Sequence, residues 1–521
     1  MPHNLSVPAS DRQPNIPVET RVEQVGSWLA QLVRGNVFEA AHAACDGLAA
    51  LNRHPLPAAA RLELLELYRN AIGDLLPAMK AQFVIVPLPL PEKSQRMAEL
   101  NRQLYAELAY GYKTALLEIP GESSEMAVQR ALASLGQVLA TCYETYVPVP
   151  AGVWSEMHRL YRHAVRHGLL DKPVADGATT SSAALAYKQA LLLAVADPYH
   201  LMQGEVIRVM DYAGRFAHLA ELRGNMEGAG ASGLFLIKLD GDEAHRALPR
   251  ALREIDWETH ILLQTSALAT QLTQQLGGLE AGIAPADLLL PDAARDQAYR
   301  HLIKRLLKHW GVSAKRYFSR KQYSAAMDLC VGLRAIHYFL NGEQVYGLVP
   351  VSSRRDSSEL DFSSAPPARS APFCASRWNI VNESAGGMAL IQDSNLRSQI
   401  RSGEIIGLRA EGGRQWNIAV VRWVKNDASN RLEIGIQMAA PYATAVAVKS
   451  AAASSSAPFL AALLLPEIPL LKQAPRLLAA RGSLHEQREF LLEQDGQVQS
   501  FKATELVEST VAFEQFQFVS A

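Results

Sequence analysis

The sequence contains little cysteine and no long apolar run, and both shortages narrow the class of protein. None of its four cysteines belongs to a C-x-x-C pair, and all lie far apart in the chain: Cys45, Cys142, Cys330 and Cys374. This spacing argues against a zinc knuckle and a disulfide scaffold and is typical of proteins in a reducing cytosol. The nearest approach to a membrane span, residues 459–471, is interrupted by Pro466 and Pro469 and is shorter than the roughly 18 apolar residues that a span needs. We therefore expect no membrane insertion.

The chain also lacks an excess of either charge, because 51 Lys and Arg face 52 Asp and Glu. A general nucleic-acid-binding protein usually has a basic excess, so we expect no nucleic acid partner, and an anionic ligand must be met by a local basic cluster. The N-terminus has no basic segment followed by an apolar core and does not resemble a secretory signal. We expect residues 1–20 to form a disordered arm and the protein to be cytoplasmic.

The 521 residues exceed one ordinary hydrophobic core, so two to four domains are expected. Residues 21–310 carry apolar side chains at a spacing of three to four, with prolines at the breaks, and no strict repeat. This pattern predicts an irregular all-α array of helical hairpins. Within it, GLFLIKLDGDE (233–243) predicts a strand and a turn.

After Gly311 the segments become short, alternating and β-branched, which predicts an antiparallel β-barrel over residues 311–450. Residues 341–375 are rich in Ser, Pro and charge, and we expect a mobile insertion there. The stretch AAASSSAP (451–458) is interpreted as a hinge, and residues 459–521 as a small β appendage. The predicted fold class is therefore multidomain α plus β.

Two stretches offer groups for a polar ligand. In RWNIVNESAGGMALI (377–391), an apparent strand leads into Asn382, Ser384, Gly386 and Gly387. Glycines allow positive φ and a close approach of ligand to backbone, and Asn and Ser offer an amide and a hydroxyl or simply close a turn. By itself this motif fits a plain β-turn.

The second stretch is a basic cluster where the helical pattern gives way to strands: Lys315, Arg316, Arg320 and Lys321. Guanidinium groups bind phosphate bidentately and donate to guanine O6 and N7. Arg316 and Arg320 with the glycine turn are therefore a candidate site for an anionic guanine nucleotide. The alternative interpretation is a solvated basic linker.

Together, Arg316-x-x-x-Arg320 and Asn382-x-Ser384-x-x-Gly387 resemble the motif pair of the PilZ domain, a small β-barrel that binds the second messenger cyclic di-GMP. The resemblance covers about residues 312–450. It implies that the arginines grip phosphates and guanine edges, while the Asn382–Gly387 turn, with Gly386 at the commonly doubled glycine, binds the other base. Similar residues are also frequent in the family at the positions of Arg422-Trp423 and Gly435.

One departure concerns spacing, since 62 positions (382 minus 320) separate Arg320 from Asn382, more than is usual in the family. The insertion at 341–375 accounts for it, with DLCVGLRAIHYFLNGE as the first strand and an added helix. A rival pair, Arg354-Arg355, is nearer but lacks the R-x-x-x-R spacing. Both pairs stay open at this point, with 316/320 preferred.

The order of helical region and split barrel resembles atypical bacterial PilZ proteins, which include a surface-attachment effector of cells with type IV pili. This implies a non-enzymatic cyclic di-GMP receptor without cofactor or metal, recruited to the cell pole or envelope, whose helical domain contacts an unidentified protein partner. Ligand bound at the junction of helical and barrel regions would shift domain orientation or partner binding. The alternative is a helical scaffold with a degenerate PilZ domain that acts through protein contacts.

Other clusters of chemical groups are weaker. His163 and His167 have the i,i+4 spacing of a metal pair, with His158 one turn earlier, but the surrounding arginines favour a basic helix face. Asp240 and Asp242 are interpreted as a surface turn rather than a carboxylate pair. The Gly-rich loop at 224–233 lacks G-K-[ST] and G-x-G-x-x-G. An enzyme with its active site in the helical region is a third possibility that no cluster supports.

Overall fold

The structure is a computed structural model, and it divides the chain into two compact units, Met1–Tyr317 and Phe318–Ala521. The structure describes residues 5–9, 18–118, 124–177, 179–230, 232–246, 248, 255–311, 321–322, 325–346, 372–384, 387–392, 399–426, 431–469, 473–485, 488–510 and 512–521. Within this part of the chain, no helix is long and apolar enough to cross a membrane.

Helices dominate the first unit, as predicted. Its α-helices, taken from the described residues, are α1 (Val22–Leu32), α2 (Val37–Arg53), α3 (Ala58–Lys80), α4 (Glu92–Glu118), α5 (Ser124–Glu144), α6 (Val153–Arg166), α7 (Ala183–Val195), α8 (Glu205–Phe216), α9 (Ser266–Glu280) and α10 (Gln297–Gly311). The long helix α4 packs on α2, α3 and α5, so its apolar side chains are covered from several directions.

Local chemistry explains where these helices begin and end. The Asn36 side chain accepts hydrogen bonds from the amides of Phe38 and Glu39 and caps α2. At its other end, the buried Arg61 guanidinium donates to the carbonyl of His54 and to that of Leu51, which also accepts from the His54 amide at 3.2 Å. Residues of α3 therefore fasten the end of α2, and the two helices form one hairpin.

The first unit also contains five short strands among its described residues: β1 (Val174–Asp176), β2 (Thr179–Ser181), β3 (Glu221–Arg223), β4 (Leu234–Lys238) and β5 (His260–Gln264). β1 and β2 form a hairpin, and the other three form a sheet in the order β3-β5-β4. The strand predicted within 233–243 is confirmed as β4. Its partners were not predicted, because a short apolar run such as HILLQ fits a buried helix turn as well as a strand.

The N-terminal arm differs from the prediction of disorder at residues 5–9. Leu5 is buried, and the Ser6 amide donates to the Glu156 carboxylate at 3.1 and 3.2 Å. This short stretch therefore lies against the helical unit. The sequence contains no signal for it, since one apolar residue has no periodicity. The remaining residues of the arm, 1–4 and 10–17, lie outside the described part of the chain.

The second unit begins with an antiparallel barrel, as predicted. Its elements are β6 (Lys321–Gln322), β7 (Ala326–Val331), α11 (Leu333–Leu340), β8 (Ser376–Ser384), β9 (Gly387–Gln392), β10 (Ile405–Ala410), β11 (Asn417–Asn426) and β12 (Leu432–Ala440). The strand order is β6-β8-β7-β10-β11-β12-β9, and an additional pairing of β8 with β9 closes the barrel. The strand and added helix expected in 328–343 are β7 and α11. Most of the predicted insertion, residues 347–371, lies outside the described residues.

A second barrel follows where a hinge and a small appendage were predicted. Its strands are β13 (Thr444–Ser450), β14 (Leu460–Leu465), β15 (Arg476–Ala480), β16 (Glu489–Gln494), β17 (Gln497–Ser509) and β18 (Phe513–Ser520). They close in the order β13-β14-β15-β18-β17-β16. This barrel therefore begins before the predicted 459, and residues 451–458 connect β13 to its antiparallel partner β14. Small and hydroxylic residues are typical of both hairpin turns and linkers, so composition did not distinguish them.

The two barrels and α11 share one apolar cluster. It joins Ile336 of α11 and Ile418 of β11 with Leu463 and Leu478 of the second barrel, all fully buried. Gly407 in β10 makes this packing possible, since a Cβ there would lie 2.8 Å from Cys330 Sγ and 3.3 Å from Ile336 Cγ1. Because α11 and the second barrel cover this part of the first barrel, a ligand must use another part of its outer face.

Candidate functional site

The predicted glycine turn is the tip of the β8–β9 hairpin. Asn382 and Ser384 lie at the end of β8, and Gly387 begins β9, where it pairs with Ser384. A register shift between Ile380 and Asn382 marks a β-bulge, a feature that re-aims side chains next to functional sites. Within the described residues, the Asn382 side chain has no hydrogen-bond partner, so its amide is available to a ligand.

Most of the remaining predicted site residues lie outside the described part of the chain. These are Gly386, both arginines of the preferred pair, Arg316 and Arg320, and both arginines of the rival pair, Arg354 and Arg355. The structure does, however, describe the backbone directly after Arg320. There β6 pairs antiparallel with β8, with Lys321 opposite Glu383 and Gln322 opposite Asn382. The strand that follows the basic segment is thus hydrogen-bonded to the strand that carries Asn382 and Ser384.

Ser384 and Gly387 have structural tasks that the sequence did not reveal. The Ser384 hydroxyl donates to the Gly387 carbonyl at 3.1 Å and closes the hairpin. A Cβ on Gly387 would lie 2.0 Å from the carbonyl oxygen of Ile436 in β12. Glycine is therefore required here by the close approach of two paired strands, whether or not a ligand is bound.

A row of residues crosses the outer face of the barrel from β11 to β8. The strand registers place Trp423 opposite Gly435, Gly435 opposite Ala389, and Ala389 opposite Asn382. Side chains directly opposite each other lie on the same face of a sheet. The indole of Trp423 covers Gly435, because a Cβ on that glycine would lie 1.8 Å from Nε1. An aromatic surface therefore lies in the same row as the Asn382 amide.

A neighbouring row joins Ser384, Gly387 and Gln437. The Arg422 guanidinium reaches the Gln437 side chain of this row, where Arg422 Nε donates a hydrogen bond to Gln437 Oε1 at 2.8 Å. Its guanidinium also forms an ion pair with the Glu508 carboxylate, with Nη2 3.1 Å from Oε2 and a closer contact through Nη1. The resemblance to the PilZ family marked Arg422, Trp423 and Gly435 only as positions where similar residues are frequent, without assigning them a role. That resemblance was the signal available from the sequence.

The weaker candidates have structural tasks in the first unit. Asp242 accepts from the amides of Gly152 and Ser155 at 2.7 and 3.0 Å and so caps the start of α6. The ring of His158 is fully buried between the Tyr187 hydroxyl and the Glu243 carbonyl, and burial lowers its pKa below the ordinary value. In the part of the chain that the structure describes, no three His, Cys, Asp or Glu residues are grouped to hold a metal.

Three models of one protein family match successive parts of the chain. The model described as "Cyclic-di-GMP receptor FimW, N-terminal domain" matches residues 23–227. "Cyclic-di-GMP receptor FimW, middle PilZ domain" matches 234–366 and 352–445, and "FimW C-terminal beta-barrel domain" matches 445–521. The chain belongs to the FimW family of PilZ-domain proteins. The PilZ resemblance inferred from the two motifs is confirmed.

A curated relative extends this finding over the whole chain. It is the "Cyclic-di-GMP receptor FimW" of Pseudomonas aeruginosa, which is 27% identical over 578 residues, an alignment that covers 100% of this chain and 94% of the relative. No solved structure matches the chain. The FimW middle PilZ domain starts at 234 and so includes β4, β5, α9 and α10 as well as the first barrel. The FimW C-terminal domain starts inside β13 and corresponds to the second barrel.

Proposed function

We propose that the protein is a cyclic di-GMP receptor that binds its ligand on the outer face of the first barrel, beside the β8–β9 hairpin. The observation that carries the proposal is the pairing of β6 with β8. It supports a site in which the basic segment and the hairpin contact the same ligand. The family membership and the description of the relative support the choice of ligand.

Chain geometry favours Arg316 and Arg320 as the phosphate-binding pair. Arg320 is bonded to Lys321, so their Cα atoms are about 3.8 Å apart, and Lys321 pairs with Glu383, the residue between Asn382 and Ser384. Arg316 lies four residues before Arg320, so their Cα atoms are at most about 14 Å apart even in an extended chain. The rival pair, Arg354 and Arg355, and its neighbours in sequence lie outside the described residues.

The groups on this face suit a guanine nucleotide. Arginines bind phosphate bidentately. The Ser384 hydroxyl donates its proton to Gly387, so its lone pairs remain to accept from a guanine N–H, and Asn382 offers both a donor and an acceptor. The Trp423 indole offers a surface for a base, and such stacking is worth about 1–3 kcal/mol per base. The proposal requires no cofactor, metal or catalytic group.

Ligand binding would be transmitted along the basic segment. At its start, Trp310 of α10 is fully buried and donates from Nε1 to the Leu192 carbonyl at 3.0 Å. At its end, β6 is paired with β8. We propose that ligand binds to the chain between these two anchors and thereby changes domain orientation or the binding of a protein partner to the helical unit. Output in surface attachment or pilus-based motility, at the pole or envelope of a bacterial cell, belongs to the same proposal.

Calorimetric titration with cyclic di-GMP tests the proposal, with GTP and cyclic di-AMP as ligand controls. We expect selective binding at micromolar affinity or tighter. Arg316→Ala and Arg320→Ala should each weaken it by about 30-fold or more, since truncating one partner of a charge pair costs about 2–5 kcal/mol. Arg354→Ala and Arg355→Ala are the matched controls and should leave affinity unchanged.

Two results would contradict the proposal. If the wild-type protein shows neither heat nor a thermal shift with cyclic di-GMP, the receptor assignment is wrong and the degenerate scaffold is supported, in line with the stretched motif spacing. If Arg354→Ala and Arg355→Ala abolish binding while Arg316→Ala and Arg320→Ala do not, the arginine pair is wrong although the receptor assignment stands.

A further inference from the structure

Arg422 lies at the boundary between the candidate site and the second barrel. It occupies a register shift in β11, between Val421 and Trp423. Its ion-pair partner Glu508 lies at a register shift in β17. Bulges aim side chains out of the regular alternation, and here they bring together two residues that are 86 positions apart in sequence.

The position of the guanidinium places it within reach of a ligand on the hairpin. Arg422 Nε is bonded to the side chain of Gln437, and Gln437 leads through Gly387 to Ser384 in one cross-strand row. Adjacent strands lie about 4.8 Å apart, so two strand spacings, about 10 Å, separate Gln437 from Ser384. A ligand that covers Ser384 and the Trp423 indole therefore passes beside Arg422.

The Arg422 guanidinium already binds the Glu508 carboxylate, an anion with two oxygens placed like those of a phosphodiester. The Glu508 carboxylate contacts both Nη atoms of Arg422, and a phosphodiester offers the same pair of oxygens to an arginine fork. The pair is accessible, since the Arg422 side chain is 35% exposed and that of Glu508 is 24% exposed. An incoming phosphate can therefore replace the carboxylate without unfolding either barrel.

We propose that Arg422 is a further ligand-binding residue and that a phosphodiester group of the ligand displaces Glu508 from it. The inference rests on the proposed function. The exchange frees Glu508 on β17, and so it loosens a polar contact between the two barrels whenever ligand is bound. In this way the second barrel senses occupancy of the first.

Calorimetric titration of three variants with cyclic di-GMP tests the exchange. Glu508→Gln should bind about two- to five-fold more tightly, because the ligand no longer competes with an ion pair worth roughly 0.4–1 kcal/mol. Arg422→Gln should bind about ten-fold more weakly. The double variant should match Arg422→Gln, because Glu508 acts on the ligand only through Arg422.

The chain offers a matched control pair. Arg409 and Asp328 also form an ion pair across two strands, with Nη2 2.8 Å from Oδ2 and side-chain exposures of 30% and 34%. Arg409→Gln and Asp328→Asn change charge in the same way on β10 and β7 and should leave affinity unchanged. Thermal unfolding of each variant establishes that it is folded.

The outcomes separate this inference from the proposed function. If the wild-type protein fails to bind, the receptor assignment itself has failed. If the wild-type protein binds and Arg320→Ala abolishes binding, but Glu508→Gln binds no more tightly, the exchange is refuted. If Arg422→Gln does not fold, Glu508→Gln decides alone, since it keeps the side chain's size and its capacity to accept a hydrogen bond.

Discussion

The contact between Trp423 and Gly435 predicts that Gly435→Ala destabilises the protein when the Trp423 indole is present and stabilises it when the indole is removed. A Cβ on Gly435 would lie 1.8, 2.0 and 2.5 Å from three atoms of the indole, so Gly435→Ala must push the ring away from the sheet. Forcing an extra methyl into a packed contact costs about 1–3 kcal/mol. In the wild-type background we therefore expect Gly435→Ala to destabilise the second unit.

Removing the indole removes the reason for the glycine. In a Trp423→Ala background, Gly435→Ala should stabilise by roughly 0.5–1 kcal/mol, because alanine loses less backbone entropy in a strand than glycine does. The coupling energy between the two positions is then roughly 1.5–4 kcal/mol, the sum of the two effects. Trp423→Ala alone should destabilise, since it exposes the strand beneath the ring.

Differential scanning calorimetry of the four proteins in this cycle measures the coupling. For a unit of about 200 residues, 1 kcal/mol moves the unfolding temperature by roughly 2–4 °C, so a cost of about 1–3 kcal/mol should lower the wild-type transition by about 2–12 °C. Gly214→Ala is the control, because its exposed position in α8 has no atom within 4 Å of the new Cβ. The reasoning is refuted if Gly435→Ala destabilises equally with and without the indole.

Two further predictions concern buried polar groups of the first unit. Lys113 and Glu156 form a buried ion pair at 2.8 Å. Lys113→Met should destabilise by about 3 kcal/mol in urea unfolding, the low end for breaking a buried pair, because Arg159 stays 2.9 Å from the carboxylate as its second cationic partner. Lys113→Met/Glu156→Leu should recover most of the loss, and a double variant no better than the single one would contradict this account. Burial lowers the pKa of His158, so below about pH 6.5 the unfolded chain binds a proton that the folded one does not. Stability should therefore fall as pH drops from 7.5 to 5.5, and His158→Gln, but not the exposed His42→Gln, should reduce this dependence in thermal unfolding; an unchanged slope would rule out His158 as its source.

Much of the architecture could be predicted from local patterns. The three-to-four spacing in 21–310 and the alternation after Gly311 predicted helices and a barrel, because both periods are properties of consecutive residues. The boundary at 459 was wrong for a related reason. A turn inside a barrel and a linker between domains use the same small residues, and only the pairing of β13 with β14 shows which one residues 451–458 are.

For the candidate site, too, the sequence supplied the local motifs and the tertiary structure supplied the contacts between distant strands. The sequence by itself determined the two motifs, Arg316-x-x-x-Arg320 and the Asn382–Gly387 turn, and through them the PilZ family, because each motif is a short run of neighbouring residues. Only the tertiary structure decided that β6 lies beside β8, that Gly387 is required by β12, and that Arg422 meets Glu508. These contacts join strands from distant parts of the chain, and their geometry follows from strand register and barrel closure, which no local spacing of residues encodes.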